Sequence, residues 1–420
     1  MDYYINRSIE KEIDKLSKEF PVVMISGPRQ VGKTTLLKHL QENKKINYIT
    51  LDDMKIRKMA VEEPELLLET YPAPLIIDEF QYAPNLLSYI KIEIDNIRYK
   101  SLKNSKENPN GKYYLTGSQV FKTTSYPAES LAGRVGIIDL YGLSMHEINH
   151  QATSSEIFIP DLELIKKRQK QSNKSVNELY EIILKGSFPH LWNKDSPTLE
   201  TFYETYIRTY IERDIRDLSN IKDELKFYSF IVAIAARTGC ELNYSSLSEE
   251  LGITIPTAKD WLSILVNSGL VYLLQPFSTN LSNRLIKSPK IYFMDTGLAC
   301  YLVGYKDAIT LEKSAYNGAI FETFVVTEII KSFTNNGYNP KRYLSFYRDK
   351  AQKEIDLIIE FNNKIYPIEI KKSKNPNQSA VKNFSVLNKL NNVEKGIVLC
   401  LIDDIFPIDK YNYSIPIEYI

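Results

Sequence analysis

Cysteine is scarce in this chain, and net charge is almost absent. The three cysteines among 420 residues, Cys240, Cys300 and Cys400, lie far apart with no metal-like spacing. That excludes a readable disulfide framework or zinc knuckle and fits a reducing cytosol. Lys and Arg number 53 against 52 Asp and Glu, a formal net charge of +1. Any hold on nucleic acid must therefore come from a local patch rather than from the whole molecule. Long apolar runs are missing too. "FIVAIAA" at 230–236 is far too short for a bilayer, and "MDYYINRSIEKEIDKL" has no signal-peptide apolar stretch. The expectation is a soluble, cytoplasmic protein with no membrane partner.

What remains is globular in character, with 43% hydrophobic and 25% charged residues. At 420 residues the chain exceeds one ordinary core, which predicts two or three domains. Ile5, Ile9, Ile13, Leu16 and Phe20 have helical spacing. "PVVMISG", "INYITLD", "PLIIDEF", "GKYYLTGS" and "VGIIDLYGL" then read as strands with helical segments between them, which predicts a parallel sheet covered on both faces. From about 144 to 240 the pattern turns helical. Polar residues 151–175 read as a loop or frayed linker, and "TFYETYIRTYIERDIRDL" as a helix. Residues 241–275 run helix "YSSLSEEL", turn, helix "IPTAKDWLSILVNSG", strand "LVYLLQPF", an order that resembles a winged helix-turn-helix. From about 315 a new α/β segment begins.

"GPRQVGKT" fits G-x-x-x-x-G-K-[ST], between an apolar strand and a helix, which is the context a phosphate-binding loop requires. Gly27, Pro28, Arg29, Gln30, Val31, Gly32, Lys33, Thr34 and Thr35 are the candidate nucleotide-binding residues. Loop N–H groups would face the phosphates, Lys33 would reach the β- and γ-phosphates, and the Thr34 hydroxyl would hold Mg²⁺. In "LIIDEF", four apolar residues deliver Asp78 to a strand end, where it can meet Mg²⁺ through water, and Glu79 beside it can polarise the attacking water. Thr116 and Ser118 in "YYLTGS" are candidates to sense the γ-phosphate, or they mark a plain strand-to-turn transition.

Near the other end, "EIDLII" and "PIEIKK" carry acids among apolar residues. Alternation along a strand puts Glu369 and Lys371 on one face, Ile368 and Ile370 on the other, and Asp356 with Glu354 and Ile358. If the two strands form a hairpin across "EFNNKI", Asp356 and Glu369 can converge on one Mg²⁺ or Mn²⁺. Lys371 would then steady the attacking water or the phosphate. The same spacing also fits a half-exposed strand with a Glu369–Lys371 surface pair.

Together "GPRQVGKTTLL", "LIIDEFQYAPNLL", "YYLTGSQ", "SLAGRV" and "SPKIYFMDTGLA" resemble bacterial and archaeal AAA-type ATPases fused to a C-terminal domain of unknown function. The resemblance covers nearly the whole chain. It implies ATP binding and hydrolysis, a winged-helix module, and a terminal fold similar to PD-(D/E)XK nucleases. In that motif Asp356, Glu369 and Lys371 fall at the metal and lysine positions and Glu322 at the accessory helix acid, while Ile355 stands where the motif's name has proline. Lys353, Lys371, Lys372 and Lys374 make the vicinity basic. Arg134 and Arg213 are candidates for an arginine finger or for ordinary ion pairs. Lys259 and Trp261 of the winged unit are candidates to meet DNA. AAA-type sites commonly lie between subunits, so the resemblance also allows a homo-oligomer.

"MHEINH" contains a literal H-E-x-x-H, His146, Glu147 and His150. A zincin needs it on a long buried helix, and the expectation is no zinc. The predicted architecture is a P-loop ATPase α/β unit at 1–143, a helical lid region at 144–240, a winged helix at 241–314 and a nuclease-like α/β domain at 315–420. The expected function is ATP-dependent action on DNA through a Mg²⁺-dependent nuclease-like site. The alternative is an ATP-dependent switch that binds DNA or a protein without cutting.

Overall fold

The computed structural model describes residues 4–103, 108–118, 131–168, 170, 174–209, 223–278 and 288–420. Strands β1 (Val22–Gly27), β2 (Asn47–Thr50), β3 (Leu75–Asp78), β4 (Tyr113–Ser118) and β5 (Val135–Asp139) form one sheet in the order β2-β3-β4-β1-β5. All its pairings are parallel. Val23 and Ile25 of β1 pack into one core and Val22 and Met24 into another, as expected of a strand covered on both faces. Helix α1 (Glu10–Glu19) precedes β1, and α2 (Lys33–Asn43) follows it. In a parallel sheet every C-terminal strand end opens on the same edge. The β1–α2 loop, Asp78 at the end of β3 and Thr116 on β4 therefore meet there.

The described residues of 151–175, expected as a loop or frayed linker, are packed: 155–161 runs as a loop between two short helices. Phe158, Ile159 and Ile165 are buried, and Asp161 caps the helix Leu162–Lys167 by accepting from Glu163 N and Leu164 N. The polar residues are the outer side of a segment whose few apolar ones reach the core. The helix predicted over 201–218 is described as Leu199–Tyr206; its remainder lies outside the described residues.

Helices Glu224–Ala236, Tyr244–Leu251 and Ile255–Asn267 precede an antiparallel hairpin of β6 (Val271–Leu274) and β7 (Lys290–Phe293). A second sheet follows, built from β8 (Leu344–Arg348), β9 (Glu354–Phe361), β10 (Lys364–Lys371), β11 (Gly396–Cys400), β12 (Phe406–Pro407) and β13 (Asn412–Pro416). Its order is β12-β13-β11-β10-β9-β8. β9 and β10 are indeed hairpin neighbours. Asn362 and Asn363 make the two-residue turn with φ of 50° and 61°, the pattern of a type I′ turn.

The helix Asn317–Asn335 joins the two layers. From Ile320 onward it is almost wholly buried, in a core that includes β1 residues and both faces of its own surroundings. Its Lys331 Nζ donates to Leu143 O at 2.8 Å, and its Glu328 Oε2 accepts from Met145 N at 2.8 Å. The end of the first sheet is thereby tied to the second.

Candidate functional site

The phosphate-binding loop has a backbone that only its glycines permit. A Cβ on Gly27 would stand 2.1 Å from Leu140 O, and Gly32 has φ of 92°. Gly32 is also the N-cap of α2 and offers no side chain, so the first N–H groups of the helix are left for an anion. Lys33 is buried, and its Nζ donates to Gly27 O at 2.9 Å and Pro28 O at 2.8 Å. Burial pushes its pKa down to about 8, against the opposing pull of Glu79 and Asp78.

A cavity of about 850 Å³ opens beside the loop, and Arg29, Gln30, Gly32, Lys33, Thr34 and Thr35 all line it. Glu79 lines it as well, with φ of 56° and one carboxylate oxygen held by Gln81 Nε2. Asp78 is buried at the end of β3. It accepts from Tyr48 OH at 2.9 Å and from the Thr116 hydroxyl, which in turn accepts from Glu79 N at 3.1 Å. Thr116 is therefore spent on Asp78 and Glu79 instead of facing the cavity, a correction to its expected role as a phosphate sensor. The side chain of Ser118 lies outside the described residues.

The opposite wall of the cavity could not be read from the motifs. Tyr4 and Ile5 come from the N-terminal segment, and Pro189, His190 and Phe202 from the helical region that follows the sheet. Tyr4 stacks on His39 with ring centroids 3.9 Å apart. Arg7 also lines the cavity and braces the loop from behind, donating to Val31 O at 2.8 Å and Tyr141 O at 2.7 Å. No local signal marks these residues, because the fold alone brings them to the loop.

Glu147 of the H-E-x-x-H pattern is Arg7's partner at 3.0 Å, and it also accepts from Ser8 N and Ser144 N. It is the third residue of a capping box on a helix of four residues, Met145–Ile148. His150 lies beyond that helix with φ of 57°, so the two histidines do not share a helical face. Burial, with Arg168 nearby, drives His146 down to about 4. Arg134 is a two-pronged partner of Asp95 at 2.8 and 2.9 Å, the ordinary ion pair of its two readings; Arg213 lies outside the described residues.

In the second sheet, Asp356 and Glu369 come together. One step past the last β9–β10 ladder pair, Asp356 Oδ2 accepts from Ile370 N at 2.8 Å. Lys371 Nζ stands 2.6 Å from Glu369 Oε1 and 3.5 Å from Asp356 Oδ2. The second oxygen of Glu369 is buried without a hydrogen-bond partner. Burial and the charge of Asp356 push Glu369 up to about 8. Strict alternation fails on β9. Ile355 and Ile358 share one core cluster because β9 takes three residues where β8 takes two, and such a bulge re-aims the side chains between.

Glu322 does not join them as a ligand. Its Oε1 accepts from Lys290 Nζ at 2.9 Å and Tyr292 OH at 2.6 Å, both from β7. Among the described residues, no group of three or more His, Cys, Asp or Glu side chains is placed to hold a metal ion. The three-acid set of Glu322, Asp356 and Glu369 is thus corrected to a pair, because two lysines stand among the carboxylates. Lys372 is likewise engaged, with Glu312 at 2.5 Å. Trp261 is core, edge-on to Phe227 and Phe230, and Lys259 lies over the ring of Tyr244. Only Lys259 of that pair is exposed to meet a partner.

Residues 19–149 match the family model described as an AAA domain. Residues 176–308 and 317–420 match two models described as domains of unknown function, DUF8612 and DUF4143. The loop geometry and the first match together support an AAA-type ATPase in the N-terminal region. Two relatives, uncharacterized proteins of Mycobacterium bovis and Mycobacterium tuberculosis, are each 26% identical over 364 residues, 86% of this chain and 72% of theirs. Among solved structures, a Walker-type ATPase of Pyrococcus abyssi is 15% identical, covering 71% of this chain and 96% of its own at a TM-score of 0.39. A signal-transduction ATPase with numerous domains from Pyrococcus horikoshii is 13% identical, covering 80% and 48% at a TM-score of 0.26. At such scores neither likeness bears on function. Among the described residues, no helix is long and apolar enough to cross a membrane.

Proposed function

We propose that the chain binds and hydrolyses ATP at the loop between Gly27 and Thr35. What carries this reading is that Lys33, Thr34 and Glu79 line one cavity of about 850 Å³ beside an uncapped helix start. The Lys33 ammonium exchanges the carbonyls of Gly27 and Pro28 for phosphate oxygens, and Glu79, steadied by Gln81, polarises the attacking water. The Thr34 hydroxyl and, through water, Asp78 form an oxygen-only set that suits Mg²⁺. When bound, Mg²⁺ neutralises charge on the phosphates. Nucleotide titration and phosphate release test this. Lys33→Ala should lose affinity, and Glu79→Gln should keep affinity and lose turnover. Undiminished binding by Lys33→Ala would sink the reading.

For the C-terminal sheet we favour a divalent-cation site that acts on DNA. The supporting observation is the unpartnered, buried oxygen of Glu369 beside Asp356. Two carboxylates completed by water are an ordinary donor set for Mg²⁺ or Mn²⁺. The cation would lower the pKa of a bound water, and Lys371 would hold the phosphate or that water. Exposed Lys353 and Lys374 flank the two strands and suit a phosphodiester backbone. Mg²⁺-dependent nicking of plasmid, lost in Asp356→Ala and Lys371→Ala, is the expected result.

The second reading, an ATP-dependent switch that binds without cutting, is favoured by Lys371 itself, whose ammonium already stands beside both acids. Intact plasmid with every metal, together with ATP-dependent retention of DNA, would select it.

A further inference from the structure

Two segments of the helical region wall the cavity beside the phosphate-binding loop, and one buried carboxylate holds both. Asp295 lies just past β7, 7% exposed, as the N-cap of the helix Thr296–Val303. Its Oδ2 accepts from Ser187 N at 2.6 Å and from the Ser187 hydroxyl at 2.7 Å. Its Oδ1 accepts from Leu298 N at 2.7 Å and from Tyr203 OH at 2.9 Å, a hydroxyl it shares with Lys185 O. These donors fill the lone pairs of the carboxylate and offset the cost of burying its charge. The cluster is tight: a Cβ on Gly186 would stand 2.4 Å from Tyr203 OH and 2.6 Å from Asp295 Oδ1.

Both partners of Asp295 lead to the cavity. Ser187 opens the turn to Pro189, and a Cβ on Gly32 would meet Pro189 Cγ at 3.7 Å, so this turn lies against the phosphate-binding loop itself. Ser187 O accepts from Leu143 N at 2.7 Å, just past β5. Tyr203 adjoins Phe202, which lines the cavity with Pro189 and His190. The Phe188 ring meets those of Phe202 and Tyr203, with centroids 5.3 and 6.1 Å apart, and so joins the two segments. Sheet order says which end of a nucleotide this wall would meet. β3, which delivers Glu79, lies beyond β4 on one side of β1, and β5 lies on the other. With phosphates on the loop and the last of them toward Glu79, the base points to the β5 side. There Tyr4, Pro189, His190 and Phe202 offer aromatic and apolar surface.

We propose that Asp295 is a positioning residue for the base end of the nucleotide cavity. By holding Ser187 and Tyr203 it sets Pro189, His190 and Phe202 where a nucleobase can pack against them. This rests on the reading of the loop as an ATP site. The phosphate end is braced separately, by Arg7 on Val31 O. Loss of the carboxylate therefore loosens the base wall and leaves the loop in place.

The test uses the full chain without metal, titrated calorimetrically with ATP and with inorganic tripolyphosphate, which has phosphates and no base. Asp295→Asn puts an amide NH₂ where one acceptor oxygen stood, facing donors it cannot match. It should weaken ATP about tenfold or more and tripolyphosphate by less than about twofold. A merely structural role would weaken both probes together. If Asp295→Asn does not fold, as judged by its thermal transition, Tyr203→Phe keeps the ring and drops one donor. That variant should weaken ATP about threefold and leave tripolyphosphate unchanged. Wild-type affinity for ATP, or an equal loss for both probes, in whichever variant is folded would overturn the proposal. So would a wild type that binds ATP no tighter than tripolyphosphate, since the base would then find no wall. Failure of the underlying reading looks different: Lys33→Ala would bind ATP as the wild type does, and the proposal would fall with that reading.

Discussion

Arg7 and Glu147 stand 140 positions apart in the chain and form a buried ion pair at 3.0 Å behind the phosphate-binding loop. Removing one partner leaves the other charged and unpaired in the interior, a loss of about 3–5 kcal/mol. Glu147→Gln is therefore expected to lower the urea midpoint sharply. Arg7→Met should in addition weaken nucleotide binding, because Val31 O loses its brace. Unfolding curves and ATP titrations on both variants check this. A midpoint unchanged in Glu147→Gln would show that the pair carries little.

Lys33 makes nucleotide affinity dependent on pH. Its pKa is pushed down to about 8 by burial, and phosphate favours the ammonium. Affinity for Mg²⁺-free ATP should be fullest below that value and fall as pH rises through it, by at most tenfold per unit. Calorimetry in two buffers of different ionisation heat should register proton uptake on binding in the alkaline range. A flat affinity without proton uptake would contradict it.

Asp78 and Glu79 divide the work differently from a simple acidic pair. Asp78 is fixed by Tyr48 and Thr116, so Tyr48→Phe should leave it one donor short. The expected result is a modest loss of turnover, since about 1 kcal/mol of hydrogen bonding is removed. Glu79→Gln should cost about 10²–10⁴ in turnover with affinity kept. Steady-state phosphate release separates the two effects.

Glu369 predicts a pH-dependent stability. Burial and Asp356 raise it from 4.5 to about 8. Between those values the unfolded chain has released its proton and the folded chain keeps it, so stability falls as pH rises through the window. Glu369→Gln should flatten that decline and be the more stable protein near neutral pH, as read from denaturant midpoints across the range. An equal slope in both proteins would argue against it.

Trp261 belongs to the interior of the three-helix unit, so Trp261→Ala should destabilise the chain by about 3–5 kcal/mol. Lys259→Ala should leave stability nearly unchanged, because the residue is exposed. Thermal melts of the two variants distinguish a packing residue from a surface one.

Local pattern made some elements readable. Asn-Asn between two apolar runs turns tightly and defines the β9–β10 hairpin, and glycine at positions 27 and 32 permits a loop that larger residues would block. The segment 151–175 reads as polar because its buried apolar residues, Ala152, Phe158, Ile159 and Ile165 among the described ones, are few. Thr116 and Glu322 each meet partners that local sequence does not reveal, Asp78 for the one and Lys290 and Tyr292 for the other.

The amino-acid order by itself determined the phosphate-binding loop, the strand that delivers Asp78, and the hairpin that brings Asp356 toward Glu369. In each case neighbours in sequence do the positioning, through backbone geometry with a short period. Only the tertiary structure decided the rest. Phe202 and His190 wall the cavity beside the loop, Arg7 finds Glu147, and Lys290 pairs with Glu322 of a later helix and Glu354 of a later strand. Those relationships depend on the packing of whole layers around the helix Asn317–Asn335, and packing joins residues whose separation along the chain carries no signal.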